Sequence, residues 1–167
     1  MGGGGSYSGP SARTTEESEE IFKSTVEEVE RTRASKTYGI FVSHAWEYSD
    51  QYRRVEAMLN DAPRFTWRNY SVPEHDPLHA KTKKELEEAL YNQIKPTSAV
   101  IILAGMYVPY REWIQKEIDI AVKMGKPIIA VTPRGSQKIP REVQEVADVI
   151  VGWKTASMVD AIRRFAK

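Results

Sequence analysis

The chain has 167 residues, enough for one domain with extensions and for a core that needs no covalent staples. It contains no cysteine, which excludes disulfides, thiolate zinc sites and a catalytic thiol. With 24 basic against 23 acidic residues the formal net charge is +1, too balanced a field to favour nucleic acid.

Residues 1–13 are rich in Gly and Ser and are expected to be flexible. The favoured reading is a native disordered lead-in. Two others compete: a myristoylation signal, with Gly2 and Ser6 in place, and an artificial linker over Gly3 to Gly5. No basic region followed by an apolar one opens the chain, so no secretory signal is expected. The longest apolar run, Ser98 to Met106, is far too short to span a bilayer. A cytoplasmic protein with no membrane contact is the expectation.

Residues 14–34 read as a helix, with Glu16, Glu17, Glu19 and Glu20 at the end where the helix dipole favours acids. Its narrow apolar stripe, Ile21, Phe22, Val26 and Val29, fits either packing on the chain's own domain or a contact with a partner or second copy. Residues 14–36 are thus assigned to a helical extension and 37–167 to the main domain.

From Tyr38 strands and helices alternate. Tyr38 to Ser43 reads as a buried first strand, followed by a helix that Ser49 can cap, carrying Tyr52, Val55, Met58 and Leu59. Phe65 to Tyr70 alternates like a second strand, at an edge. A polar loop with Pro73 and Pro77 leads to the capping box Thr82-Lys83-Lys84-Glu85 and a helix facing inward with Leu86, Ala89, Leu90 and Ile94. Ala99 to Leu103 is the most apolar strand; the helix after it is stopped by Gly125. Pro127 to Val131 forms a fourth strand, Pro140 to Val146 a short helix, Asp148 to Val151 a fifth strand and Ala156 to Phe165 a last helix.

Short apolar strands joined by helices imply an α/β fold: a five-stranded parallel sheet covered on both faces, in the flavodoxin-like order 2-1-3-4-5. In that order strands 1 and 3 are neighbours whose connections leave in opposite directions, and ligands bind in the crevice at their carboxyl ends. Ser43 and His44 leave strand 1 there, and Gly105, Met106 and Tyr107 leave strand 3.

Neither G-x-G-x-x-G nor a Walker-type loop follows a strand, and no aspartate ends strand 3 as a receiver domain requires. His75 and His79 offer donors, but Pro77 between them breaks any helix that would align two imidazoles, and no metal is expected. His44 either bonds a loop or touches ligand.

The helix after strand 3 holds the most informative residue. At about 100° per residue, Trp113, Met124, Glu117, Ala121, Ile114, Ile118 and Val122 follow one another around one side, with Ile120 closing the arc. Glu117 is the one ionisable group in that apolar arc, one turn from a tryptophan. A carboxylate there loses hydration, so it needs a partner, a raised pKa or a chemical role. It is either a structural acid satisfied by a backbone amide or buried Arg, or a functional one. In the functional case the aromatic ring stacks on a flat cationic or heteroaromatic group. The acid then binds ribose hydroxyls or stabilises positive charge at an anomeric carbon, as in splitting an N-glycosidic bond.

Five blocks carry a resemblance. Tyr38-Gly39-Ile40-Phe41-Val42-Ser43-His44-Ala45, Asn69-Tyr70-Ser71-Val72-Pro73, Ala104-Gly105-Met106-Tyr107, Trp113-Ile114-Gln115-Lys116-Glu117-Ile118 and Gly125-Lys126-Pro127-Ile128-Ile129 resemble, in order, the TIR-like family of bacterial and archaeal defence proteins. The nearest likeness is to the ThsB proteins of the Thoeris anti-phage system, across residues 37–165. The resemblance implies the flavodoxin-like TIR fold and cleavage of NAD at the nicotinamide–ribose bond, as by an NAD glycohydrolase or ADP-ribosyl cyclase. The W-x-x-x-E pattern from Trp113 to Glu117 carries the catalytic role to Glu117. Ser43, His44, Asn69, Tyr70, Gly105, Met106, Tyr107 and Trp113 become substrate-binding residues, and the loop from Asn69 to Asp76 becomes one that closes over substrate. NAD is a substrate, and no resident cofactor is implied. The ADP-ribose part is cyclised or conjugated into a nucleotide signal for a separate effector, after a trigger from the phage; self-association is a further implied partner. Two alternatives stay open: a non-catalytic interaction module, and a nucleoside or nucleotide N-glycosidase of similar fold.

Overall fold

A computed structural model of the chain describes residues 14–43, 49–71, 82–109, 111–132 and 138–167. The Gly/Ser-rich start, His44, and the loop bearing His75 and His79 lie outside them. The chain divides into two units at Ser35/Lys36.

The first unit contains one helix, α1 (Thr15–Ser35). Thr14 and Glu17 bond each other's backbone N–H groups at 3.3 and 3.2 Å, a reciprocal capping box that satisfies two donors the helix start leaves unpaired. Ile21, Phe22, Val26 and Val29 share one side of it, as their spacing requires.

The second unit is the α/β domain. Its elements are β1 (Thr37–Ser43), α2 (Ser49–Asn60), β2 (Thr66–Asn69), α3 (Lys83–Ile94), β3 (Ala99–Leu103), α4 (Ala104–Tyr107), α5 (Arg111–Lys123), β4 (Ile128–Val131), α6 (Arg141–Val146), β5 (Val149–Val151) and α7 (Thr155–Phe165). The strands are all parallel in the order β2-β1-β3-β4-β5, the order expected from the sequence. Every residue of β3 and β4 is buried, which is why both read as unbroken apolar runs. The edge strands β2 and β5 contain no buried residue. Helix α2 packs with α7, and α3 with α5.

Local chemistry sets the helix ends. Thr82 and Glu85 form the anticipated capping box of α3. Beyond α5, Gly125 takes a φ of 62°; its N–H bonds the Val122 carbonyl and that of Lys126 bonds the Ala121 carbonyl. This is a Schellman stop, which needs a residue that tolerates the left-handed region. Lys126 Nζ then donates to the carbonyls of Lys95 and Thr97, tying that stop to the end of α3.

Two features depart from the sequence expectation. Gly105, Met106 and Tyr107, read as leaving strand 3 with no helix assigned to them, belong to the short helix α4. Val122 is 53 % exposed, because at the margin of the apolar arc of α5 it points past the face that packs. Among the described residues no helix is long and apolar enough to cross a membrane.

Gly39 lies in β1 against the Tyr70 ring. A Cβ there would meet Tyr70 Cε2 at 2.9 Å and the Pro96 carbonyl oxygen at 3.2 Å. Gly39→Ala is therefore expected to destabilise the domain by about 1–3 kcal/mol, read by denaturant titration, from overpacking against backbone that cannot retreat. An unchanged midpoint would show that the ring gives way freely.

Candidate active site

Strands β1 and β3 are neighbours, with Ser43 at the end of β1 paired to Ile102. The chain leaves β1 for α2 and leaves β3 for α4 and α5, and these helices belong to the two different packed pairs. The switch point expected of this strand order is thus present at the carboxyl ends of β1 and β3.

Glu117 lies in the second turn of α5, on the face formed by the buried residues Ile114, Ile118 and Ala121. It is 2 % exposed. The fully buried Ser43 donates its hydroxyl to Glu117 Oε2. The indole N–H of Trp113, one turn earlier on the same helix, donates to Oε1 at 2.8 Å. Each carboxyl oxygen thereby has one neutral donor, and among the described residues no cation pairs with it. Loss of water pushes the Glu117 carboxyl up to about 8, while the hydrogen bonds from Ser43 and Trp113 pull the other way. A group of this kind exchanges its proton near neutral pH and interacts with hydroxyls either as donor or as acceptor.

The other expected site residues are distributed unevenly. Ala104, Met106 and Tyr107 are buried in α4, Gly105 partly so, and Tyr107 donates its hydroxyl to Gln115 Oε1 of α5 at 2.6 Å. The Asn69 amide nitrogen points towards α2, donating to the Tyr52 hydroxyl at 2.6 Å and to Glu56 Oε1 at 3.0 Å. The Tyr70 ring lies against Gly39, towards the amino end of β1. Ser43 and Trp113 are therefore the residues joined directly to Glu117.

Ser71 was part of the Asn69–Pro73 block but received no role of its own from the sequence. It is buried, and its hydroxyl accepts from the Val42 N–H at 2.8 Å, replacing a ladder bond where β2 has ended. A lone serine after an edge strand carries no periodic signal, so nothing in the pattern marks it. Asn69 Oδ1 in turn accepts from the Ser71 N–H at 2.9 Å, and burial raises the Tyr52 phenol of the same network above its ordinary value. Among the described residues no group of three metal-binding side chains comes together.

With the site in view, the family model for the Thoeris protein ThsB, TIR-like domain, matches residues 41–138, more than half of the chain. The chain belongs to the ThsB TIR-like family. The matched span includes Ser43, Trp113 and Glu117. No curated protein matches it closely enough to count as a relative. Among solved structures, a conserved protein from Enterococcus faecalis V583 is similar at 10 % identity and TM-score 0.53, over 77 % of this chain and 99 % of its own. The CMP N-glycosidase BcmB of Clostridium botulinum is similar at 20 % identity and TM-score 0.47, over 76 % and 99 %. A 2-deoxyribosyltransferase from Bacillus psychrosaccharolyticus follows at 14 % identity and TM-score 0.48, over 68 % and 85 %. At these identities the likeness to the Enterococcus protein is one of fold.

The raised Glu117 carboxyl has a consequence for stability. An acid that holds its proton more tightly in the folded than in the unfolded chain contributes nothing against folding at low pH. It opposes folding progressively as pH rises from the ordinary carboxylate value to about 8. Glu117→Gln, uncharged throughout, should match the wild type near pH 4 and melt several degrees higher near pH 8. Parallel melting curves across that range would mean the carboxyl is not so perturbed.

Proposed function

We propose that the protein is an anti-phage TIR enzyme that cleaves the nicotinamide–ribose bond of NAD. It converts the ADP-ribose part into a cyclic or conjugated nucleotide signal that activates a separate effector. The observation that carries this reading is the dehydrated Glu117 carboxyl, held by two neutral donors at the carboxyl end of β1. Membership of the ThsB TIR-like family supports it. An acid with no ion-pair partner among the described residues contributes little to stability and is suited to meeting charge that appears during a reaction.

In the proposed step the C–N bond breaks with its electron pair leaving on nicotinamide, which departs as a neutral base. Positive charge gathers on the anomeric carbon and ring oxygen, where ionised Glu117 stabilises it and accepts a ribose hydroxyl. A second nucleophile then attacks the same carbon. A ring nitrogen of the adenine gives a cyclic product, a hydroxyl of another small molecule gives a conjugate after losing its proton, and water gives plain ADP-ribose. Exclusion of water decides among them. His44, Asn69, Gly105, Met106 and Tyr107 are the proposed substrate-facing set, with Ser43 and Trp113 behind them bonded to Glu117; Tyr70, whose ring lies by Gly39 towards the amino end of β1, is left out of it. NAD is the substrate, a phage product the trigger, and the cytoplasm the place of action.

The test compares cells expressing wild-type and Glu117→Gln protein, with and without phage, by mass spectrometry of small molecules. An ADP-ribose-derived species requiring both infection and Glu117, and reduced at least ~100-fold in the variant, is expected. Protection by the variant with NAD unchanged would replace the enzyme by an interaction module. Loss of a nucleoside or nucleotide base other than nicotinamide would identify an N-glycosidase of different substrate.

A further inference from the structure

The sequence pattern has Trp113 presenting its ring to a flat substrate group, yet its indole N–H is committed to Glu117. We propose that Trp113 and Ser43 are positioning residues that hold the Glu117 carboxyl in one orientation and dictate which of its oxygens carries the proton. This deepens the proposed function and rests on Glu117 being its catalytic group.

Donor chemistry comes first. An indole N–H can only donate, so Oε1, 2.8 Å from Trp113 Nε1, must remain an acceptor in every protonation state. A serine hydroxyl can donate or accept. When Glu117 is ionised, Ser43 donates to Oε2. When Glu117 is neutral, its proton resides on Oε2 and the Ser43 hydroxyl turns to accept it. The two anchors come from different elements, α5 itself and the end of β1, 74 residues apart in sequence for Ser43 and four for Trp113. Together they fix both the position of the carboxyl and the rotation of its plane.

Both donors favour the charged form against the burial that disfavours it. No charged described group contributes to that balance. On α5 and α3 the charged residues Lys84, Glu87, Glu88, Lys116, Asp119 and Lys123 line a separate groove of about 630 Å³ between the two helices, and Glu117 is not among its walls. From β1 the described group bonded to Glu117 is Ser43, and in α4 the Tyr107 hydroxyl is engaged with Gln115. Among the described residues the charge state of Glu117 is therefore set by burial, opposed by two neutral hydrogen bonds, and losing either bond shifts it towards the neutral acid.

The test uses the full chain with Trp113→Phe, which keeps a flat ring but removes the donor, and Ser43→Ala. The first readout is the indole N–H resonance of Trp113, identified by its absence in Trp113→Phe and followed from about pH 5 to pH 10. It should move with a single titration in the wild type, stay still in Glu117→Gln, and titrate roughly one pH unit higher in Ser43→Ala. The second is nicotinamide release. In both donor variants kcat should fall about tenfold with KM nearly unchanged, and the rise of activity with pH should move upward. Trp113→Phe with a wild-type pH profile, or with KM alone altered, would overturn the proposal in favour of ring stacking. An indole resonance indifferent to Glu117 would overturn it as well. Should Trp113→Phe fail to fold, Ser43→Ala with the native indole still decides. The resonance needs no turnover, so a protein that titrates as described yet spares NAD would sink the substrate assignment alone.

Discussion

A carboxyl group taken out of water, with no cation beside it among the described residues, is the constraint around which this domain is arranged. Glu117 is satisfied by a hydroxyl at the end of the inner strand β1 and by an indole on its own helix. Both donors are neutral, so dehydration outweighs stabilisation and the acid is held close to its neutral form. A buried Arg would have produced a deeply ionised, inert pair. The absence of an ion-pair partner among the described residues is what makes the group chemically useful.

The scaffold makes that arrangement durable. Sheet order places β1 beside β3 and sends their following helices to different sides, so the end of β1 and the face of α5 converge. Behind them, β3 and β4 supply fully buried apolar surface against which α5 seats Ile114, Ile118 and Ala121. The Schellman stop at Gly125 and the Lys126 bonds to the end of α3 fix where α5 finishes. Ser71 holds the backbone of β1 one residue before Ser43, through the Val42 N–H. The donor to Oε2 is therefore set on a strand whose edge is completed by a side chain. These supports are local and inexpensive, yet a carboxyl group needs placement within fractions of an ångström to serve an anomeric carbon.

Membership of the ThsB TIR-like family and the geometry of Glu117 bear on different questions. The first says which family the chain belongs to. The second says what kind of chemistry the crevice can support: stabilising positive charge and binding hydroxyls at near-neutral pH.

Much of this was written in local patterns. Strand period and apolar runs disclosed five strands and their order, since a parallel sheet buries both faces of its inner strands and can be joined only by crossovers. The capping box at Thr82 and the stop at Gly125 were readable because they act within a few residues. Glu117 stood out by helical periodicity alone. The wheel could not say which edge of the apolar arc would pack, so Val122 was placed inside and is exposed. Nor could it reveal the Ser71 bond to β1 or the helical turn α4, which lack periodic signatures. Above all, the meaning of Trp113 depended on the fold. Its spacing put an aromatic ring one turn from an acid, and only packing against β1 turned the indole N–H onto Oε1 while Ser43 took Oε2. The amino-acid pattern determines which residues must leave water, because that follows from composition and period. Where the hydrogen bonds of a buried group go is decided by tertiary contacts between distant segments, because directionality requires all the partners in place.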